Sequence, residues 1–144
     1  MAHSLPKLSL YRLAIRGTMK KALVVEDHKD ILEVLIQLLE SWNFAVVSAN
    51  TGMEGVEKAI KEKPDLILMD IMLPSMDGRE ATRRIRSNLE TKDIPILAIT
   101  ALPKESQLKE CIEAGCNDFM LKPFTPEKLL EKIQTVLDPP SDNQ

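Results

Sequence analysis

Beyond residue 20 the apolar residues fall into two rhythms. Five short runs carry them nearly side by side: 22–25, 44–49, 66–69, 96–100 and 118–121. Such runs predict strands covered on both faces, because a half-exposed strand would alternate apolar with polar. Between the runs the spacing changes to every third or fourth residue, as in Ile31, Leu35, Leu38, Leu39 and Trp42, and again in Val56, Ala59 and Ile60. That spacing predicts amphipathic helices. Asp30 opens the first helix and Asn43 ends it; Thr51-Gly52 leads into the second, which Pro64 stops. Residues 79–86 predict a third helix, arginine-rich on one side, and 105–114 a fourth with Gly115 as its C-cap. Thr125-Pro126-Glu127 opens the fifth with a capping hydroxyl, a proline at the first position and an early acid. That helix ends near Leu137, and Asp138-Pro139-Pro140 closes the domain.

Strand and helix alternating five times imply an α/β fold: a doubly wound, five-stranded parallel sheet with helices on both faces. In a parallel sheet all strands end at one edge, and there the polar residues gather. Glu26 and Asp27 follow the first strand, Asp70 the third, Thr100 ends the fourth, and Lys122 follows the fifth. Asp70 ends the unbroken apolar run 66–69, and Pro74 and Asp77-Gly78 make the loop after it stiff and turned. Open α/β sheets place ligands at this edge. Three carboxylates crowded there repel one another, and a divalent cation relieves that cost. Oxygen donors of this kind suit Mg2+.

Charge and cysteine usage narrow the classes. Of 19 basic residues, five (Lys7, Arg12, Arg16, Lys20, Lys21) lie among the first 21, which hold no acid. The rest of the chain has 14 basic against 22 acidic residues. An acidic domain of this kind is a poor direct binder of nucleic acid. No apolar run is long enough to span a membrane. Cys111 and Cys116 lack metal-ligand or redox-motif spacing and read as small, reduced core residues of a cytoplasmic protein. Residues 1–18 break the pattern and read as a disordered extension, upstream of a domain over 19–138 and a short tail over 139–144.

From about Lys20 to Leu137 the chain resembles the receiver domain of two-component response regulators, the CheY-like chemotaxis family. The matching pieces are Glu26-Asp27, the run Asp70-Ile-Met-Leu-Pro-Ser-Met-Asp-Gly78, Thr100-Ala101 and Lys122-Pro123-Phe124. The resemblance implies strand order 2-1-3-4-5, and a cis bond before Pro123. It implies a signalling domain rather than an enzyme, one that supports its own phosphotransfer and slow autodephosphorylation. Asp70 is then the phosphoacceptor, loaded from a phosphohistidine on a sensor histidine kinase or phosphotransfer protein. Glu26, Asp27, Asp70 and the backbone carbonyl of Met72 hold Mg2+, and Thr100 and Lys122 bind the phosphoryl group. Thr100 and Phe119 form the switch, and the fourth helix, fifth strand and fifth helix face a downstream protein target.

A stand-alone receiver is the expected form, with a receiver module of a hybrid histidine kinase as the alternative. Met72 and Leu102, both bulky and apolar, are expected to flank the path of water to the phosphoryl group and prolong its life. An aspartyl-phosphate phosphatase on a related sheet needs a second acid two residues after the nucleophile, where this chain has Met72. A flavin-binding domain cradles phosphate where Glu26-Asp27-His28 would repel it.

Overall fold

In the computed structural model, which describes residues 19–101 and 104–139, strands and helices alternate along the chain as the apolar pattern predicts. They are β1 (Lys20–Val25), α1 (Lys29–Ser41), β2 (Phe44–Ala49), α2 (Gly52–Glu62), β3 (Leu66–Asp70), α3 (Gly78–Arg86), β4 (Ile96–Thr100), α4 (Glu105–Ala114), β5 (Asp118–Leu121) and α5 (Pro126–Leu137). All neighbouring strands pair in parallel, in the order β2-β1-β3-β4-β5. Residues 1–18, Leu102 and the tail beyond Pro139 lie outside the described residues, and so do the expectations attached to them.

Successive side chains of each strand point into two separate cores. Leu23, Val25, Ile67, Met69, Ile96 and Ala98 meet Val56, Ala59, Ala81, Ile85 and Cys111 from α2, α3 and α4. Ala22, Val24, Leu66, Leu68, Leu97 and Ile99 meet Leu35, Leu39, Leu129, Ile133 and Val136 from α1 and α5. β3 is buried from end to end, which is why its sequence shows no polar alternation. Truncating Leu68 to alanine there would cost about 2–5 kcal/mol. Cys111 and Cys116 are buried free thiols on the α4 side.

Local chemistry sets the helix ends. Asn43 and Lys63 take left-handed backbone (φ 71° and 46°) as the chain leaves α1 and α2, and Pro64 has no N–H with which to continue. Gly115 leaves α4 at φ 122°, where a Cβ would stand 2.6 Å from the Arg86 side chain. The hydroxyls of Thr51 and Thr125 accept from the amides of Glu54 and Lys128, each at 3.1 Å. α1 begins at Lys29, one residue before Asp30, and its N-cap His28 makes no side-chain cap. The His28 imidazole is turned instead toward Glu26 and Asp27.

Candidate functional site

Asp70 is the last residue of β3 and is 3% exposed. The backbone around it is pinned from several sides. Ile71 donates its amide to the Ile99 carbonyl (3.0 Å), and Gly78 donates to the Ile71 carbonyl (3.0 Å). Gly78 packs so closely that a Cβ would sit 2.3 Å from the Asp70 carbonyl oxygen, so no other residue fits without moving the loop. Asp77 then caps α3 by accepting from the Arg79 amide (2.7 Å), and the Arg79 guanidinium grips the same carboxylate and Glu110 of α4. The Asp70 side chain is thereby fixed. Its Oδ1 accepts from the Met72 amide (3.1 Å), whereas Oδ2 is buried without a hydrogen-bond partner.

Lys122 leaves the end of β5 and reaches back across the sheet edge. Its Nζ lies 3.1 Å from Glu26 Oε1 and 3.7 Å from Asp70 Oδ2. Glu26 takes the shorter contact because the His28 amide, donating to Oε2 at 3.1 Å, orients its carboxylate with Oε1 toward the ammonium. Burial would raise the pKa of Glu26, but the His28 amide and the Lys122 charge outweigh it and hold the carboxyl below its ordinary value. Asp70 gives way. Burial first, then the charge of Glu26, push it up to about 6, against the pull of Lys122 and the Met72 amide.

Asp27 completes the edge, and the His28 Nδ1 lies 3.1 Å from Glu26 and 3.4 Å from Asp27. One donor atom from each of Glu26, Asp27, His28 and Asp70 falls within 4.8 Å of the others. Ligands on opposite sides of an octahedral ion at about 2.1 Å stand about 4.2 Å apart, so this set closes on a cation with little movement. The buried, unpartnered Asp70 oxygen is the second sign that the residues fit a hard divalent ion.

The remaining predicted residues are close by in the fold. Thr100 is buried at the end of β4, and its carbonyl accepts from the Lys122 amide (2.8 Å) just before the cis Lys122–Pro123 bond. Met72 is half-exposed on the loop after Asp70. Phe119 of β5 pairs with Ala98 of β4 and packs half-buried on the α4-side core. The Lys132 ammonium, bound to Asp118 at 3.2 Å, sits 5.7 Å above its ring. The ring borders an open groove of 670 Å3 with Glu105, Leu108 and Ile112 of α4.

This fold and this edge are matched elsewhere. The family model described as the response regulator receiver domain covers residues 22–134. The chain belongs to the response regulator receiver family. It is 38% identical to the alkaline phosphatase synthesis transcriptional regulatory protein PhoP of Bacillus subtilis over 82% of this chain and 48% of that one. It is 35% identical to protein PilH of Pseudomonas aeruginosa, over 83% of this receiver and 98% of PilH. Among solved structures it resembles the receiver domain of a Pseudomonas aeruginosa sensor histidine kinase with a magnesium ion coordinated in its active-site cleft. There the TM-score is 0.78 and the identity 33%, over 83% of this receiver and 98% of that chain. The chain spans about half the length of the first several curated relatives it matches. No helix among the described residues is long and apolar enough to cross a membrane.

Sequence reasoning singled out the acids, Thr100 and Lys122 but gave His28 no role at the site. Its position directly after Glu26-Asp27 was the available signal. The structure makes it the N-cap of α1, yet its ring turns toward the acids and not toward the helix, a direction that sequence position does not give.

Proposed function

We propose that this receiver accepts a phosphoryl group on Asp70 from a phosphohistidine of a sensor histidine kinase or phosphotransfer protein in the cytoplasm. The observation that carries this reading is Asp70 Oδ2, a buried carboxylate oxygen with no hydrogen-bond partner, 3.7 Å from an ammonium. A nucleophile needs a free lone pair, and here burial and a rigid loop keep one free. The oxygen attacks phosphorus opposite the P–N bond. That bond breaks with its electrons leaving on the imidazole nitrogen, which takes up a proton on the donor side. Glu26, Asp27, Asp70 and the Met72 carbonyl are the residues that would hold Mg2+, whose charge when bound offsets that of the transferring oxygens. Lys122 leaves Glu26 for a phosphoryl oxygen, and the Thr100 hydroxyl donates to another.

Pulling Thr100 toward the phosphate frees space behind it, into which Phe119 turns from the α4 groove. The α4–β5–α5 face then changes shape for a downstream protein partner. The near-full coverage of PilH supports a stand-alone role. The likeness to a kinase's receiver favours the second reading, a module of a hybrid histidine kinase. An aspartyl-phosphate phosphatase is disfavoured by Met72, which supplies no second acid. Met72 offers no hydrogen bond to an attacking water, so Met72→Asn speeds loss of phosphate severalfold, read by following acid-precipitated phosphoprotein over time.

Incubation with acetyl phosphate and Mg2+ followed by intact-mass measurement tests the assignment. Wild type gains one phosphoryl group and Asp70→Asn gains none. Equal labelling of the two would remove Asp70 as the acceptor.

A further inference from the structure

We propose that His28 is itself a ligand of the cation bound beside Asp70, so that this site prefers a first-row transition-metal ion such as Mn2+ to Mg2+. The proposal rests on the reading of this edge as a cation site and adds a nitrogen donor to its oxygens. Three observations carry it. A ring nitrogen of His28 belongs to the same compact set of donor atoms as Glu26, Asp27 and Asp70. Nδ1, rather than Nε2, faces the carboxylates, at 3.1 Å from Glu26 and 3.4 Å from Asp27. Asp70, which belongs to the same cluster, has an oxygen, Oδ2, that is buried and without a hydrogen-bond partner.

Two carboxylates approaching one imidazole nitrogen describe a place for positive charge. With the ring proton on Nε2, the Nδ1 lone pair points at the space the carboxylates share. The imidazole is 64% exposed, so the ring turns the small amount needed without disturbing the core. His28 also lies at a fixed point, because its backbone amide is tied to Glu26 at 3.1 Å and its carbonyl accepts from the Leu32 amide of α1 at 2.9 Å. An all-oxygen set suits Mg2+, which gives up its water reluctantly. Imidazole adds little for Mg2+ but strengthens binding of transition ions, in the rising order from Mn2+ upward.

The test uses the full chain and the metals alone. Its two histidines are His3 and His28, so His3→Ala is the control for binding at the other imidazole. Mn2+ bound to wild type and to His3→Ala should show electron spin-echo modulation from a directly bound nitrogen, and His28→Ala should lose it. Titration calorimetry should show Mn2+ binding weakened roughly tenfold or more in His28→Ala, with Mg2+ binding changed by less than about twofold. Bound Mn2+ without nitrogen modulation would overturn the proposal, as would equal weakening of both ions, while leaving the phosphoacceptor reading intact. Failure of both ions to bind even wild type would overturn this proposal and the cation site under the proposed function together. Labelling of Asp70 by acetyl phosphate reports separately on the acceptor.

Discussion

The two edges of the sheet handle their polar groups in opposite ways. At the amino edge, Arg86, the last residue of α3, donates to the Gly115 carbonyl (2.9 Å), the Thr91 carbonyl (3.4 Å) and Asn117 Oδ1 (2.9 Å). Asn117 Oδ1 also accepts the amide of Ile96, the first residue of β4 (2.8 Å). The wholly buried Thr91 donates to the Ile85 carbonyl (2.6 Å). Each of these groups has its partners. At the carboxyl edge Asp70 is nearly as inaccessible as Thr91, yet one oxygen is left without a hydrogen bond and its neighbour Glu26 carries like charge. A satisfied network stabilises a fold, whereas an unsatisfied carboxylate held rigidly lowers stability until something else binds it. Which edge has work beyond folding is visible in that difference.

Removing groups from the two edges should therefore move stability in opposite directions. The largest effect belongs to Arg86→Ala, which strips partners from two carbonyls and Asn117 and costs about 2–4 kcal/mol in urea unfolding. A cost under about 0.5 kcal/mol, the size of an ordinary surface change, would mean that the amino-edge network holds nothing together.

Asp70→Asn acts with the other sign. The folded carboxyl has its pKa raised to about 6 from 3.8, so the folded state binds the proton more tightly than the unfolded one. Wild type therefore loses stability as pH rises from about 4 to about 6, and the full penalty persists above. In EDTA at pH 7 the asparagine variant should be more stable by about 1–3 kcal/mol, and the advantage should vanish below about pH 4. A variant less stable than wild type at pH 7 would contradict the crowding of charge at this edge.

Thr91→Val returns to the satisfied edge, keeping shape while deleting one hydroxyl. It should cost about 1–2 kcal/mol, because the Ile85 carbonyl loses a buried donor. The smallest shift separates ligand binding from folding. Mg2+ at ten times its dissociation constant should stabilise wild type by about 1.4 kcal/mol and Arg86→Ala by the same amount, since that residue lies at the opposite edge of the sheet from the acids. In Asp70→Asn the gain should shrink markedly. An equal gain in all three proteins would locate the ion elsewhere.

Much of this was written in the chain. Unbroken runs such as 66–69 cannot serve a one-sided strand, and the helical spacing between runs leaves few alternatives to a parallel sheet. Once the sheet is parallel, Glu26, Asp27, Asp70, Thr100 and Lys122 must share an edge, because strand direction alone brings them there. Distances within that edge were another matter. Lys122 lies nearer to Glu26 than to Asp70, by 3.1 Å against 3.7 Å, across a sequence separation of 96 residues. No spacing rule decides between two acids that close. The turn of His28 toward the acids, the half-buried pose of Phe119 under Lys132, and the missing partner of Asp70 Oδ2 have the same origin. Sequence pattern fixes which residues arrive at a place, through periodicity and strand polarity. How they divide the charge and hydrogen bonds there depends on fractions of an ångström, which only the packed tertiary structure determines.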